Sequence, residues 1–503
     1  MFKHPMSLER RVRVAGLFVA CAAVGSIPAL AANNRFDPKN PPQGFFFDEW
    51  YAVTLADTPC GYMHSTLRRD GDEILSLADT KITLQRDRAS ISIGMTQTYR
   101  ETLDGRPLAF EQITNLAGQP IKLRGKVAGR KIKLTTEQFG AKQVRTTDFD
   151  PEVRFAWGQF LDEQHHGLAP GTTYDIKTFE PSLTADQVLL TTTSVIGPQD
   201  VQLLGRKVRG IKVRSTIQTT PPIVSDGWVD SDGMPLVMEL NLGAIKVRVL
   251  RSDRRTATRV EQLPELFLST FVKADGPVDR RVHRLVLRVS VSGDALPDLP
   301  ETAMQHFKRT SQRSGELTIE RSDWRHVRMA GRDPPQEYLA RSTYLDVNDP
   351  LIVELAEKAR GESDGVELAD RLRRFVTRYI HKKDLGVGFA SASEVAKSRE
   401  GDCTEHSVLL AALARVNKLP ARVVAGLLLV PGSRDEFGYH MWTQVWLNGQ
   451  WVDLDAAMDQ TECDATHIAL STLSLSDDNA LSAVVGLTSI LGRLKIEVVD
   501  GGR

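Results

Sequence analysis

The sequence has little cysteine and no net charge, and each shortage excludes a class of protein. Its four cysteines form no Cys-x-x-Cys pair, so neither a disulfide-rich scaffold nor a structural zinc site is expected. Lysine plus arginine and aspartate plus glutamate both number 64, so no net field favours nucleic acid or a membrane surface. A chain of 503 residues with 41% hydrophobic residues instead predicts a globular protein of more than one domain.

A long apolar run is also missing from the N-terminal region. The apolar stretch there covers only Val14 to Ile27, which is shorter than the roughly 20 residues that a transmembrane helix needs. Basic residues precede it and Ala29-Leu30-Ala31 follows it, a pattern typical of a cleaved signal peptide over residues 1–31. We therefore expect an exported protein, periplasmic or extracellular, without stable membrane insertion after cleavage. An uncleaved anchor is the alternative, and a lipid anchor at Cys21 is not favoured.

Short strand-like runs dominate the region that follows the N-terminal segment. They alternate with Gly-containing breaks from Glu49 to about Ser252, which indicates a large antiparallel β domain over residues 32–270. Residues 271–340 are expected to form a small β module or a connector. Helical periodicity then begins near Leu351, so we expect a separate domain with helices over residues 341–503.

The most informative segment of the chain is Gly401-Asp402-Cys403-Thr404-Glu405-His406. It precedes an apolar run from Val408 to Ala414 that predicts a helix, so Cys403 is expected at or near a helix N-terminus. Unpaired N–H groups and the helix dipole favour an anion there, which lowers the pKa of a thiol and makes it a better nucleophile. The alternative for Cys403 is a small buried side chain without chemistry.

A β-hairpin is predicted around Asn448-Gly449, the strongest short-range signal for a two-residue turn. Counting outward from that turn places His440 on one face of the hairpin, with Asp455 and Asp453 across from it. His440 and Asp455 are then diagonal neighbours within side-chain reach, whereas Asp453 lies a further step away. The hairpin therefore predicts that Asp455 fixes the imidazole of His440.

These segments together resemble the transglutaminase-like superfamily, whose members have a papain-like cysteine protease core. The resemblance covers roughly residues 340–475 and implies Cys403 as nucleophile, His440 as general base and acid, and Asp455 as the residue that orients the imidazole. It is carried by four stretches of the sequence: Gly401-Asp402-Cys403, Leu419 to Gly426, His440-Met441-Trp442 and Trp451 to Asp455. The predicted fold is α+β, with a transglutaminase-like, papain-like core at the C-terminus preceded by the large antiparallel β domain.

Two stretches near the predicted triad depart from this pattern or carry no assignment. Ala456-Ala457 stand where family members often have Pro-Thr after the aspartate, which affects the local turn but not the triad. The stretch from Asp464 to Ile468 resembles a segment of bacterial members and receives no chemical role. Trp442, Glu405 and His406 are expected to line the site, although surface positions or plain packing are the alternatives.

Two functions of different classes fit these observations. The first is an exported thiol acyl-transfer enzyme that cleaves or transfers amide bonds of peptides or proteins through a thioester, with hydrolysis preferred over transamidation. The second is an inactive transglutaminase-like module that docks a cell-envelope protein or glycan. No metal or cofactor is expected, and His165-His166 is interpreted as a surface loop. Cys60 and Cys463 could pair and leave Cys403 reduced, but three reduced thiols are the simpler expectation.

Overall fold

The computed structural model divides into two compact units, with the boundary at residues 265–266. The described residues are 36–86, 89–116, 119–138, 141–181, 188–219, 222–242, 245–260, 263–264, 271–293, 295–321, 336–342, 344–382, 390–475, 490 and 492–501. The expected signal peptide over residues 1–31 therefore lies outside the described residues. The sequence also predicts a helix near Ala480 to Leu491, and nearly all of that segment lies outside the described residues as well.

The N-terminal unit is built on one antiparallel sheet of 14 strands in the order β8-β7-β6-β5-β4-β3-β2-β1-β14-β13-β12-β11-β10-β9. Alternation of buried and exposed residues along these strands explains the period-two pattern of the sequence. The strands are β1 Gly44–Leu55, β2 Thr58–Asp70, β3 Glu73–Arg86, β4 Ala89–Thr102, β5 Pro107–Leu116, β6 Gln119–Ala128, β7 Lys131–Gln138, β8 Ala141–Asp148, β9 Thr173–Thr178, β10 Leu189–Leu203, β11 Arg206–Ile217, β12 Ile223–Val229, β13 Pro235–Leu242 and β14 Ile245–Ser252.

In the described part of this unit two helices interrupt the strands, α1 Ala156–His166 and the short α2 Arg254–Ala257. Helix α1 buries Trp157 and Phe160, which pack in an aromatic cluster with Phe36 and Phe46. The interpretation of His165-His166 as a loop is wrong, because both residues form the last turn of α1. No strong local signal marks this helix, since Phe155 at its N-cap position offers no side-chain cap.

The C-terminal unit contains two sheets and four helices among its described residues. The larger sheet has the order β15-β20-β19-β22 with β21 paired to β20, and the smaller has the order β17-β18-β16-β23. The strands are β15 Val272–Lys273, β16 Arg284–Val291, β17 Gln305–Ser311, β18 Ser314–Glu320, β19 Ala421–Leu429, β20 Glu436–Leu447, β21 Gln450–Leu454, β22 His467–Leu473 and β23 Leu494–Asp500; the helices are α3 Pro350–Arg360, α4 Gly365–Tyr379, α5 Ala392–Ser398 and α6 Cys403–Val416.

The core of the C-terminal unit lies between helix α6 and the larger sheet. Val408 to Ala414 of α6 are almost completely buried, and every residue of β19 is buried as well. The buried strand β19 is central in this sheet, since it pairs with β20 on one side and β22 on the other. The prediction of an α+β fold is confirmed. In the described part of the chain, no helix combines the length and apolar character needed to cross a bilayer.

Candidate active site

Helix α6 begins at Cys403, and its N-terminus is fixed by two reciprocal caps. The Asp402 carboxylate accepts a hydrogen bond from the backbone N–H of Thr404 at 3.1 Å. The Glu405 carboxylate in turn accepts one from the backbone N–H of Asp402 at 3.0 Å, which completes a capping box. Cys403 therefore stands in the first helical turn, as the sequence predicted, where the helix dipole favours a thiolate.

The sulfur of Cys403 lies beside the strand that carries His440. The backbone N–H of Met441, the residue after His440, donates a hydrogen bond to Cys403 Sγ at 3.3 Å. Helix α6 is held on strand β20 by a further bond, from Thr443 Oγ1 to the Ser407 carbonyl at 3.0 Å. Cys403 is only 5% exposed and His440 only 3%, so the pair is almost removed from bulk water.

The hairpin of β20 and β21 positions the imidazole and the carboxylate. Its two-residue turn at Asn448-Gly449 gives the predicted register, since Leu447 pairs with Gln450 and the pairing continues without a bulge. Beyond the end of that pairing, His440 Nε2 lies 2.6 Å from Asp455 Oδ2. Because a carboxylate only accepts, Nε2 carries the proton, and Nδ1 is the nitrogen left to act as a base.

Asp455 is fully buried and accepts hydrogen bonds on both oxygens. Its Oδ1 takes the backbone N–H groups of Ala457 and Met458 at 2.9 and 3.0 Å, and its Oδ2 takes His440 and His467. Burial alone would raise the pKa of Asp455, but the charges and hydrogen bonds of His440 and His467 hold it far below its usual range. The Ala456-Ala457 stretch thus supplies a backbone donor to the carboxylate.

Asp453 faces a different set of donors and does not reach His440 in any described contact. Its Oδ1 accepts from Trp442 Nε1 at 2.6 Å and from Gln444 Nε2 at 2.8 Å, while the buried Oδ2 has no hydrogen-bond partner among the described residues. Burial raises the pKa of Asp453, since these neutral donors compensate its charge only in part. Asp453 therefore anchors Trp442 rather than the imidazole.

Trp442 covers one side of the His440 ring. The two rings are stacked at 6.1 Å between centroids with 20° between their planes, and the indole is 1% exposed. The indole fits because Gly426 of β19 lies beneath it: a Cβ there would stand 2.1 Å from the Ile468 carbonyl oxygen and 2.6 Å from the indole. This placement excludes water from the imidazole.

Glu405 and His406 are buried, so the alternative of surface positions is wrong for both. Glu405 has no exposed surface, and its carboxylate caps helix α6. His406 is 2% exposed, and its Nδ1 lies 2.6 Å from the Asp402 carbonyl oxygen. In these contacts both side chains hold the helix start that presents Cys403.

A second histidine, His467, joins the site although the sequence analysis assigned it no role. Its Nε2 lies 3.2 Å from Asp455 Oδ2, on the same oxygen that His440 uses. Nitrogen and oxygen atoms of His440, Asp455 and His467 all lie within 4.8 Å of one another, a spacing that ion-binding sites also show. We interpret them as a hydrogen-bonded cluster, because Asp455 already accepts four N–H donors.

No disulfide joins the described cysteines Cys60, Cys403 and Cys463. The pairing of Cys60 with Cys463 that we considered is therefore absent from this structure. Burial raises the pKa of both thiols to about 12, so both are neutral at ordinary pH.

Comparisons with known proteins find a family similarity for one part of the chain. The model described as "Transglutaminase-like superfamily" matches residues 353–456. A search of curated proteins finds no match. Among solved structures, a proposed cysteine protease from Cytophaga hutchinsonii is 16% identical with a TM-score of 0.28, and the match covers 40% of this chain and 85% of that one.

Two further solved structures also match the chain. A β-barrel-like protein from Brucella abortus is 15% identical with a TM-score of 0.32, covering 41% of this chain and 95% of that one. A proposed protease from Parabacteroides distasonis is 11% identical with a TM-score of 0.18, covering 70% and 68%. These values are too low to carry an argument about activity.

Proposed function

We propose that the C-terminal unit is a thiol acyl-transfer enzyme acting on amide bonds of peptides or proteins, and the match of residues 353–456 to the transglutaminase-like superfamily model supports this proposal. One observation carries the proposal: the buried His440–Asp455 pair is 2.6 Å apart, and Cys403 Sγ at the start of α6 accepts a hydrogen bond at 3.3 Å from the backbone N–H of Met441, the residue after His440. A cysteine, a histidine and an orienting carboxylate are recognised as a triad by their mutual geometry and roles, whatever their positions in the sequence.

In the proposed reaction, His440 Nδ1 takes the proton of Cys403, and the thiolate attacks the amide carbonyl carbon. The tetrahedral oxyanion collapses to a thioester as the C–N bond breaks, and His440 returns the proton to the leaving amine. Water then attacks the thioester with His440 as base, which releases the acid and restores the thiol. Asp455 keeps the proton on Nε2 throughout and stabilises the imidazolium that forms.

Two backbone N–H groups support the anions of this reaction. The Met441 N–H, 3.3 Å from Cys403 Sγ, stabilises the thiolate. The N–H of Cys403 itself, in the first turn of α6, is our proposed oxyanion donor, because N–H groups at a helix start point out of the helix.

Hydrolysis is the proposed outcome rather than transamidation, since water is abundant outside the cytoplasm and we propose export. The support for export is the basic and apolar N-terminal pattern that ends at Ala29-Leu30-Ala31. Adding a labelled primary amine to a cleavage assay separates the two reactions. Cleavage without amine incorporation supports hydrolysis, and incorporation in place of cleavage contradicts it.

Alkylation by iodoacetamide at neutral pH tests the nucleophile without knowledge of the substrate. Mass spectrometry of the peptides reports each cysteine separately, so the buried thiol of Cys463 serves as an internal control. We expect rapid labelling of Cys403 that His440→Ala slows by about 10²-fold or more, because the imidazole no longer takes the thiol proton. Slow labelling that does not depend on His440 would support the inactive binding module instead.

A further inference from the structure

His467 is buried between two carboxyl-bearing residues at the start of strand β22. Its Nε2 lies 3.2 Å from Asp455 Oδ2, and its Nδ1 lies 3.1 Å from the carbonyl oxygen and 3.4 Å from the carboxylate of Asp464. The His467 side chain is 1% exposed. Because the side chain is buried, bulk water does not replace the protein partners of Nδ1 or Nε2.

Both carboxylates that contact His467 also accept hydrogen bonds from other groups. Asp455 takes four N–H donors. The Asp464 carboxylate accepts from the backbone N–H of Thr466 at 3.0 Å and from Gln460 Nε2 at 2.9 Å, and it forms an ion pair with Arg280 at 3.1 Å. Neither group carries a proton that it could donate to the ring.

It follows that both ring nitrogens of His467 must donate. A carbonyl oxygen accepts only, so Nδ1 carries a proton; an ionised carboxylate accepts only, so Nε2 carries one as well. A ring with both nitrogens protonated is an imidazolium. Burial disfavours that charge, but the hydrogen bonds to Asp455 and Asp464 hold the pKa of His467 well above its usual range.

We propose that His467 is a positioning residue of the candidate triad: a buried imidazolium that supplies a fixed positive charge to the carboxylate that orients His440. The inference rests on the proposed function, because it assigns a role to His467 within that site. Asp455 thereby stays ionised and hydrogen-bonded in a fully buried position whether His440 is neutral or charged. His467 does not contact substrate in this scheme and acts through Asp455.

The charged and titratable groups that face His467 come from several elements. Asp464 and Cys463 precede it in the chain, and His440 stands on β20 with its ring centroid 6.0 Å away. Asp455 follows β21, Asp453 lies on β21, and Arg280 contacts Asp464. The Trp442 ring, at 5.1 Å, is the uncharged neighbour that closes this side.

The fixed charge has a measurable consequence for the pH dependence of Cys403. The Cys403–His440 pair loses its first proton at one pH, which gives the thiolate–imidazolium form, and its second proton at a higher pH. The alkylation rate of Cys403 therefore changes twice as the pH rises, and we call these two transitions the limbs of the pH profile. A positive charge nearby makes both protons easier to lose, so its removal moves both limbs to higher pH. The His440 and His467 ring centroids are 6.0 Å apart in a buried site, so we expect the limbs to shift by roughly one to two pH units when the charge of His467 is removed.

The test measures the rate of Cys403 alkylation against pH in the full chain and in His467→Gln, which removes the charge and keeps one N–H donor. We expect both limbs to move upward together. A lower rate with unchanged limbs would show that His467 only packs, and would overturn the proposal. His306→Gln is the matched control, since His306 also pairs with a carboxylate, at 3.1 Å from Glu301, but is 67% exposed; its limbs should not move.

Nitrogen NMR of the ¹⁵N-histidine-labelled wild-type protein gives a second readout that needs no folded variant. We expect both ring nitrogens of His467 to show protonated shifts at pH 8, and a neutral tautomer there would contradict the proposal. Failure of the proposed function looks different: Cys403 of the wild type would then react as an ordinary thiol with a single limb, while NMR still reports the charge of His467.

Discussion

Each unit of the chain buries a carboxylate completely, and the pKa values of these two carboxylates shift in opposite directions. Glu101 of the N-terminal unit accepts the backbone N–H groups of Trp157 and Gly158 at the start of helix α1, at 2.7 and 2.8 Å. Burial raises the pKa of Glu101 to about 8 in spite of these bonds. Asp455 of the C-terminal unit is buried as deeply, yet its pKa is lowered.

The difference between the two carboxylates lies in their donors. Glu101 meets peptide N–H groups, which are neutral, whereas Asp455 meets two imidazoles in addition to peptide N–H groups. Asp453 extends the comparison, because it lies two residues before Asp455, meets only neutral side-chain donors, and has a raised pKa. A buried acid in this molecule thus remains an anion where an imidazole donates a hydrogen bond directly to it, whereas the charges of Arg154 on Glu101, and of Arg422 and His467 on Asp453, only partly offset burial.

The largest effect that this comparison predicts is for Asp455→Asn. The Ala457 and Met458 N–H groups would hold the oxygen of the new amide, so its NH₂ group would face His440 Nε2. That arrangement moves the imidazole proton to Nδ1 and removes the base, so kcat/KM should fall by roughly 10³–10⁴-fold. Steady-state kinetics on a cleaved peptide measure the fall, and the rate of Cys403 alkylation measures it without a substrate.

Asp453→Asn is the matched control for that substitution. The amide that it introduces would still accept from Trp442 and Gln444 through its oxygen, and the raised pKa of Asp453 means that a neutral side chain is tolerated there. We expect a loss of less than about tenfold, because the carboxylate does not orient His440. Equal losses for the two substitutions would contradict the division of roles between the two aspartates.

The second prediction concerns Glu101 and the stability of the N-terminal unit. A carboxyl whose folded pKa is raised from the ordinary 4.5 to about 8 stabilises the fold below pH 4.5, and that contribution is lost as the pH rises through 8. The free energy of unfolding should fall by up to about 3 kcal/mol between pH 5 and pH 8. Denaturant unfolding at both pH values should show that Glu101→Gln removes this difference; an unchanged difference would show that another group causes it.

The third prediction has the smallest effect and concerns Arg280, which forms an ion pair with the buried carboxylate of Asp464. Arg280 is 27% exposed and Asp464 5%, so Arg280→Ala leaves a mostly desolvated charge and should cost roughly 1–2 kcal/mol. Arg288→Ala breaks a pair with Glu497 in which both side chains are about half exposed, and should cost less than about 0.5 kcal/mol. Denaturant midpoints of the two variants give the comparison, and equal costs would contradict it.

Local signals in the sequence predict the position of Cys403 and the register of the hairpin. An N-cap and a following apolar run define the start of α6, because capping acts over three residues. A two-residue turn similarly fixes every pair of the strands that it joins, and the alternation of side chains then places His440 near Asp455. Both features depend on physics that operates within a few residues of the chain.

The features that the sequence did not reveal depend on distant partners. Helix α1 receives its caps from Glu101, 56 residues before Trp157, and a long-range cap leaves no local pattern. His467 reaches Asp455 only because β22 pairs with β19 beside β20, and strand order is set by packing of the whole sheet. The sequence offered one hint, the resemblance of the stretch from Asp464 to Ile468 to a segment of bacterial family members, to which we assigned no chemical role.

The glycine beneath Trp442 has a consequence for how this site tolerates mutation. Gly426 has no side chain that could take part in the chemistry, yet its single hydrogen leaves the gap that the indole occupies. A methyl group there meets the main chain of the neighbouring strand, which cannot yield without disturbing His467 one residue earlier. A random search for inactive variants should thus return this backbone position alongside the reactive side chains, and a redesign of the cleft would have to begin by leaving it unchanged.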